Sequence, residues 1–255
     1  ARALPSPVWA KPMLELAPAW RSRSQAPAAT TAAGAPRGRV GILTGCVQRV
    51  IFGDVNAATA RVLAAEGLEV VAPPQGCCGA LSVHAGRLEE GRRFASGIVD
   101  AFAGVETIVV NSSGCGSHLK ELGWLLRDDA AYAERAAAFS TGVRDVHELL
   151  ARLEPQAAYA PLPITMAVQD SCHLRHAQKL PLVSRTPLAR IPGLELREPD
   201  EQDTCCGSAG IYNIVQEDRA RRLGNRKARR VLETEAEAYA SANPGCLVQV
   251  ATALR

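Results

Sequence analysis

Short apolar runs alternate with stretches of helical period along most of this chain. Arg39–Leu43 (RVGIL) reads as a strand that runs into Thr44-Gly45-Cys46. The residues after it place Val55, Ala58, Val62 and Leu63 on one helical face, with Asp54 as N-cap. Leu68–Ala72 (LEVVA) is a second strand, and a helix over about Leu88–Phe102 leads to a third strand at Thr107–Val110. The order then recurs, with strands at Ile164–Val168, Leu194–Arg197 and Ala238–Ala242. Such alternation predicts an α/β fold of parallel sheets flanked by helices. Residues 1–37 break the pattern. Arg21 to Arg37 contains no large apolar residue, so it cannot offset its ordering entropy and reads as a linker or surface strap. Before it, Trp9, Met13, Leu14, Leu16 and Trp20 are suited to docking on a neighbouring body, and the globular part begins near Gly38.

The eight cysteines turn this pattern into a duplication. Cys46, Cys77-Cys78 and Cys115 recur as Cys172, Cys205-Cys206 and Cys246, at offsets of 126, 128, 128 and 131 residues. Neighbours repeat too: Cys-Cys-Gly occurs in both copies, and Gly precedes both Cys115 and Cys246. The period is too long for a solenoid unit and predicts two related domains, 38–160 and 161–255. Every cysteine follows a predicted strand, so each copy gathers four thiols at the carboxyl ends of a small parallel sheet, where such sheets bind ligands.

Three chemistries compete for these thiols. Zinc favours cysteines two to four residues apart, and an adjacent pair reaches one small ion awkwardly. A body with several irons suits adjacent thiolates better, since each can bind a different metal. Gly45, Gly79, Gly114, Gly207 and Gly245 beside the ligands let the backbone approach and its amides hydrogen-bond sulfur. Four disulfides are the third option, disfavoured because no basic-then-apolar leader is visible in the sequence and the expected cytosolic setting keeps thiols reduced. Gly114-Cys115-Gly116 matches a dinucleotide loop only in part, for it lacks the third glycine. His118 and His173 lie close enough to cysteines to suggest a Cys/His nucleophile, but a duplicated four-cysteine site is not what a hydrolase requires. They read, with His176, as packing residues near the thiols, and His84 and His147 as structural.

Composition narrows the remaining classes. At 255 residues the chain forms one large or two smaller domains. The longest apolar run, around Ile108–Val110, is strand-sized, so no membrane span is expected. A net charge of +3 and eleven aromatic residues give no case for nucleic acid. Arg219–Arg230 carries seven positive residues, and Arg219, Arg222, Arg226, Arg229 and Arg230 fall within a helical arc of roughly 100°. That stripe is either a solvated face or a docking line, centred on Arg222, Arg226 and Arg230, for an acidic partner.

Six motifs resemble a known family: TGCVQ from Thr44, GCCGA from Gly76, NSSGCG from Asn111, DSCHLRHAQ from Asp170, CCGSAGIY from Cys205 and SANPGCL from Ser241. They are similar to the cysteine-rich "CCG" region of the glycolate oxidase iron–sulfur subunit, within a wider family of heterodisulfide-reductase-like CCG proteins. The resemblance covers Gly38 to the end. It implies Cys46, Cys77, Cys78, Cys115, Cys172, Cys205, Cys206 and Cys246 as metal ligands, with one 4Fe-4S iron–sulfur cluster per motif. It further implies non-catalytic electron transfer within a complex whose flavoprotein partner carries FAD and oxidises a 2-hydroxy acid. Electrons then pass to quinone or another membrane acceptor, from a cytoplasmic or peripheral inner-membrane location. The family carries an upstream ferredoxin module with cysteines two residues apart, so the expected match is to the C-terminal part, with a closing strand and helix expected beyond Arg255. The alternatives are a heterodisulfide-reductase-like catalytic subunit and a zinc-stabilised interaction module. Heterodisulfide-reductase-like members place a further cysteine three residues before the last one. Here those positions are Ser112 and Asn243, which favours ordinary cubane clusters.

Overall fold

The computed structural model describes residues 25–255, and the apolar positions from Trp9 to Trp20 lie outside them. The first half runs β1 (Ala29–Thr30), β2 (Gly38–Leu43), α1 (Cys46–Ile51), α2 (Gly53–Ala65), β3 (Leu68–Val71), α3 (Ala80–His84), α4 (Leu88–Ala101) and β4 (Ile108–Val110). It continues through α5 (Ser113–Leu119), α6 (Leu122–Leu125), α7 (Ala133–Gly142), β5 (Val143–Asp145) and α8 (Val146–Arg152). The second half holds β6 (Thr165–Gln169), a π-helical turn at His173–Ala177, α9 (Arg185–Leu188), β7 (Glu195–Arg197), α10 (Tyr212–Val215), α11 (Glu217–Leu232), β8 (Ala238–Ser241) and α12 (Pro244–Ala253).

Two sheets result. The first has the order β1-β3-β2-β4-β5, and the second β7-β6-β8. In each half the strand that begins the repeat lies centrally, with the next two strands parallel to it on either side. The duplication read from cysteine spacing is therefore a duplication of topology. Both faces of the first sheet are covered: Ile98, Phe102, Leu119, Leu122 and Leu126 fill one cluster, and Ile42, Leu63, Leu68 and Val70 belong to another. The second half is thinner. Its buried core has six residues, and two of them are Cys206 and Cys246.

Two local expectations are corrected. The helix after Cys46 begins at Gly53 with Phe52 at the N-cap, which places Asp54 inside the first turn. Its buried face is Asn56, Ala57, Ala60, Leu63 and Ala64, while Val55 and Val62 are exposed. The cause is polar: the Asn56 amide donates to the Thr44 carbonyl at 2.8 Å, and Asn111 donates to the Asn56 side chain at 2.9 Å, turning that edge inward. Ala29–Thr30, inside the segment read as linker or strap, is a strand paired antiparallel to β3.

A polar seam joins the halves. The Ser113 amide donates to the Ala242 carbonyl at 2.9 Å, and the Gln178 amide donates to the Ser113 carbonyl at 3.0 Å. Arg190 reaches back from the second half to the last carbonyls of α8, donating to Leu150 and Leu153 at 2.8 and 3.0 Å. These carbonyls lack helical partners, so a cation there is favourable.

Candidate metal centres

Each set of four cysteines forms one chain of sulfur contacts. Cys46 and Cys77 Sγ lie 3.5 Å apart, Cys77 interacts with Cys78, and Cys78 interacts with Cys115. In the second half Cys172 contacts Cys205, Cys205 contacts Cys206, and Cys206 and Cys246 Sγ lie 3.1 Å apart. All eight are free thiols rather than disulfides. Electrostatics follow the same order in both halves. Cys77 is pulled down to about 2 by its contacts with Cys46 and then Cys78, and Cys205 is pulled down to about 2 by Cys172 and then Cys206. Cys46, Cys78, Cys172 and Cys206 are pushed up by those same contacts, while Cys115 and Cys246 are lowered. Raised and lowered cysteines thus alternate along each nest, and any metal bound there would have to displace the thiol protons.

The backbone is shaped to bring the adjacent pairs in. Gly79 and Gly207 have φ of +89° and +92°, a left-handed conformation that side chains resist. Their amides donate to Cys77 Sγ at 3.4 Å and Cys205 Sγ at 3.3 Å. Gly45, with φ +63°, precedes Cys46 at the start of α1. Gly114 and Gly245 sit in the first turns of α5 and α12; the Gly114 amide donates to Asn243 at 3.4 Å, and a Cβ on Gly245 would lie 2.4 Å from the Ser208 hydroxyl.

Ser112 and Asn243 occupy the N-cap positions of α5 and α12, yet neither side chain caps its helix. They turn to sulfur instead. The Ser112 hydroxyl is bonded to Cys115, and Asn243 Nδ2 donates to Cys246 Sγ at 3.5 Å. A matched pair of glutamines escaped the sequence reading. Gln75 donates to the Ile42 carbonyl and accepts from the Thr44 amide, both at 3.0 Å. Gln202 repeats this with the Val168 carbonyl and the Asp170 amide, at 2.8 and 3.0 Å. Each clamps the end of a central strand to the loop bearing the cysteine pair. Their signal was present, for both stand two or three residues before a Cys-Cys pair.

The histidines pack around the nests. His118 is buried and donates through Nε2 to the Cys78 carbonyl at 3.0 Å, and burial lowers its pKa to about 4. His176 contacts the Asp203 carbonyl, and His147 pairs with Asp145 at 3.0 Å. His84 and His173 stack with ring centroids 5.7 Å apart. Both belong to the wall of a largely apolar cavity of about 520 Å³ between the halves. Cys46, Cys77, Cys78 and Cys115 all stand on that wall, facing Ile211, Ile214 and Val248 of the second half.

Two arginines of the basic stripe are engaged within the chain. Arg226 grips the Glu201 carboxylate at 2.6 and 3.0 Å, and Arg230 joins it at 2.7 Å. The pair is spent inside the chain, which leaves Arg219, Arg222 and Arg229 exposed on α11.

Among the described residues, no three His, Cys, Asp or Glu side chains are arranged to hold a single metal ion. Eight thiols in two four-membered chains, each with backbone and side-chain donors aimed at sulfur, fit a larger, polynuclear group. The chain is 39% identical over 222 residues to the probable glycolate oxidase iron-sulfur subunit of Bacillus subtilis (strain 168), covering 85% of this chain and 50% of that one. It is 38% identical over 224 residues to the glycolate oxidase iron-sulfur subunit of Escherichia coli (strain K12), covering 85% and 54%. Similarity to lactate utilization protein A of Halalkalibacterium halodurans is 26% over 217 residues, covering 83% and 88%. The chain thus spans about half the length of the two glycolate oxidase subunits. The "CCG" cysteine-rich domain profile matches residues 40–120 and again 166–251, and the chain belongs to that family, with the domain present twice.

Proposed function

We propose that this chain is the cluster-bearing part of an iron–sulfur electron-transfer subunit in a 2-hydroxy-acid oxidoreductase, with one four-iron cluster in each nest. The observation that carries the reading is the repeated geometry: four thiols in the same order, each set with a left-handed glycine amide on sulfur. Cys46, Cys77, Cys78 and Cys115 hold the first group, and Cys172, Cys205, Cys206 and Cys246 the second. When bound, such a group supplies one-electron storage. The chain's own residues set its surroundings. Gly79, Gly207, Ser112 and Asn243 stabilise charge on sulfur, and His118 fixes the backbone of the first pair. The names of the relatives support a glycolate- or lactate-type substrate and further subunits, and in this reading one of those subunits carries the flavin. The first nest, open to the cavity, is the one a partner reaches. Among the described residues no helix is long and apolar enough to cross a membrane, so contact with a membrane acceptor runs through that complex. The test is the anaerobically purified chain's spectrum: broad absorption at about 400 nm that bleaches on reduction supports clusters. A colourless protein overturns them.

One observation favours a second reading, a catalytic centre of the heterodisulfide reductase kind: the apolar cavity gives a small molecule access to the first nest. Turnover of a disulfide by this chain alone would decide for it.

A further inference from the structure

The two halves share a fold but not an electrostatic setting. Helices α4 and α11 correspond at an offset of 129 residues. This pairs Gly91 with Ala220, Ala95 with Gly224, Ile98 with Lys227, Val99 with Ala228 and Phe102 with Val231, and all ten are buried. The offset has independent support. A Cβ on Gly79 would meet the Gly91 carbonyl oxygen at 2.9 Å, and one on Gly207 would meet that of Ala220 at 2.6 Å. An apolar position beside the first nest is therefore a lysine beside the second.

Lys227 is 1% exposed. Its ammonium donates to the Glu201 carbonyl oxygen, while the Glu201 carboxylate is taken by Arg226 and Arg230. Its helix neighbours Ala228 and Val231 share one core cluster with Cys206 and Cys246, so the buried ammonium lies on the side of the second nest. Burial lowers its pKa, and the nearby cysteines and Glu201 oppose the shift. The strands differ in the same sense. Gly41 opposes Ile108 in the first sheet and Ala167 opposes Tyr239 in the second, so Ile108 corresponds to Tyr239 and Leu43 to Gln169. The Tyr239 hydroxyl donates to the Gln169 side chain. Three apolar residues around the first nest, Leu43, Ile98 and Ile108, thus become Gln169, Lys227 and Tyr239 around the second.

A buried cation is costly unless an anion compensates it. A fixed positive charge in a low-dielectric setting also favours whichever state of its neighbour carries one more electron. We propose that Lys227 is the charge partner of the group held by Cys172, Cys205, Cys206 and Cys246, and that it sets this second centre's reduction potential above the first's. The inference rests on the iron–sulfur reading given above. It makes the second half the site where an electron comes to rest.

The test is a redox titration of the anaerobically purified chain followed by electron paramagnetic resonance, with Cys77→Ser used to assign the second centre's signal. Iron and sulfide are measured first, and their absence defeats the iron–sulfur reading separately. With both centres loaded, one electron equivalent of dithionite (half a mole per mole of chain) should reduce the second centre first. Lys227→Met should change the second centre's oxidised-to-reduced ratio at fixed potential by tenfold or more, equivalent to at least about 59 mV for one electron. The first centre's midpoint should stay in place, and Lys227→Arg should restore most of the shift. Ile98→Lys should raise the first centre. Should Lys227→Met fail to fold, the order of reduction in the unaltered chain still decides. A first centre reduced before the second, or a loaded Lys227→Met chain with an unshifted second midpoint, overturns the proposal.

Discussion

Gly79 and Gly207 each serve two purposes, since the backbone must turn left-handed after an adjacent cysteine pair and a helix passes directly behind. Placing an L side chain in that conformation costs about 1–2 kcal/mol. The oxygens 2.9 and 2.6 Å from the missing Cβ atoms are backbone and can move only with α4 and α11. Gly79→Ala should therefore lower the urea midpoint and reduce the iron bound in the first half, with the second half's iron retained; Gly207→Ala should do the reverse. Iron analysis and paramagnetic spectra check both. At this scale the sequence was most legible for the convergence of the thiols, because their spacing repeats with the same neighbouring glycines. The glutamine clamps were not legible in the same way. Gln75 and Gln202 act through amide bonds to strand ends, and no periodicity marks a residue that works on backbone.

Helix α11 shows how an element can look like a surface and be partly a core. At 100° per residue Lys227 falls beside Ala220 and Val231, on the buried face, although a run of seven basic residues draws attention to its charge alone. Glu201 pins this helix to the loop before Cys205 and is held down to about 2 by Arg226 and then Arg230. The sign follows: a depressed carboxylate contributes stability in full above its ordinary value near 4.5, and loses it as pH falls toward about 2. Glu201→Gln should thus melt below the unaltered chain at neutral pH, and the two midpoints should converge in acid, cluster loss being common to both. A gap that persists at low pH would contradict the ionic clasp. Other elements hid for different reasons. In α2 hydrogen-bonded Asn56 faces inward, so a purely apolar criterion selected Val55 and Val62 on the wrong side. The edge strand β5 has only Val143, Arg144 and Asp145, too short and polar to read as a strand.

For the molecule as a whole, the duplication was visible in the spacing of cysteines, whereas the inequality of the halves was not, because it resides in what surrounds them. The second half builds its small core partly from Cys206 and Cys246, so a group held by these thiols would couple its binding to folding there. Chelation should loosen β6, β8 and α11 before β2, β4 and α4, and amide hydrogen exchange would show it; simultaneous loosening would contradict this. The central claim is that eight cysteines form two separate centres, each carrying a polynuclear iron group. Its most direct measurement is iron, acid-labile sulfide and zinc quantified together in the anaerobically purified chain, in Cys77→Ser and in Cys205→Ser. The predicted result is about four irons and four sulfides per nest without zinc, each variant losing only its own half. Zinc without sulfide, or iron that survives both substitutions, would contradict it.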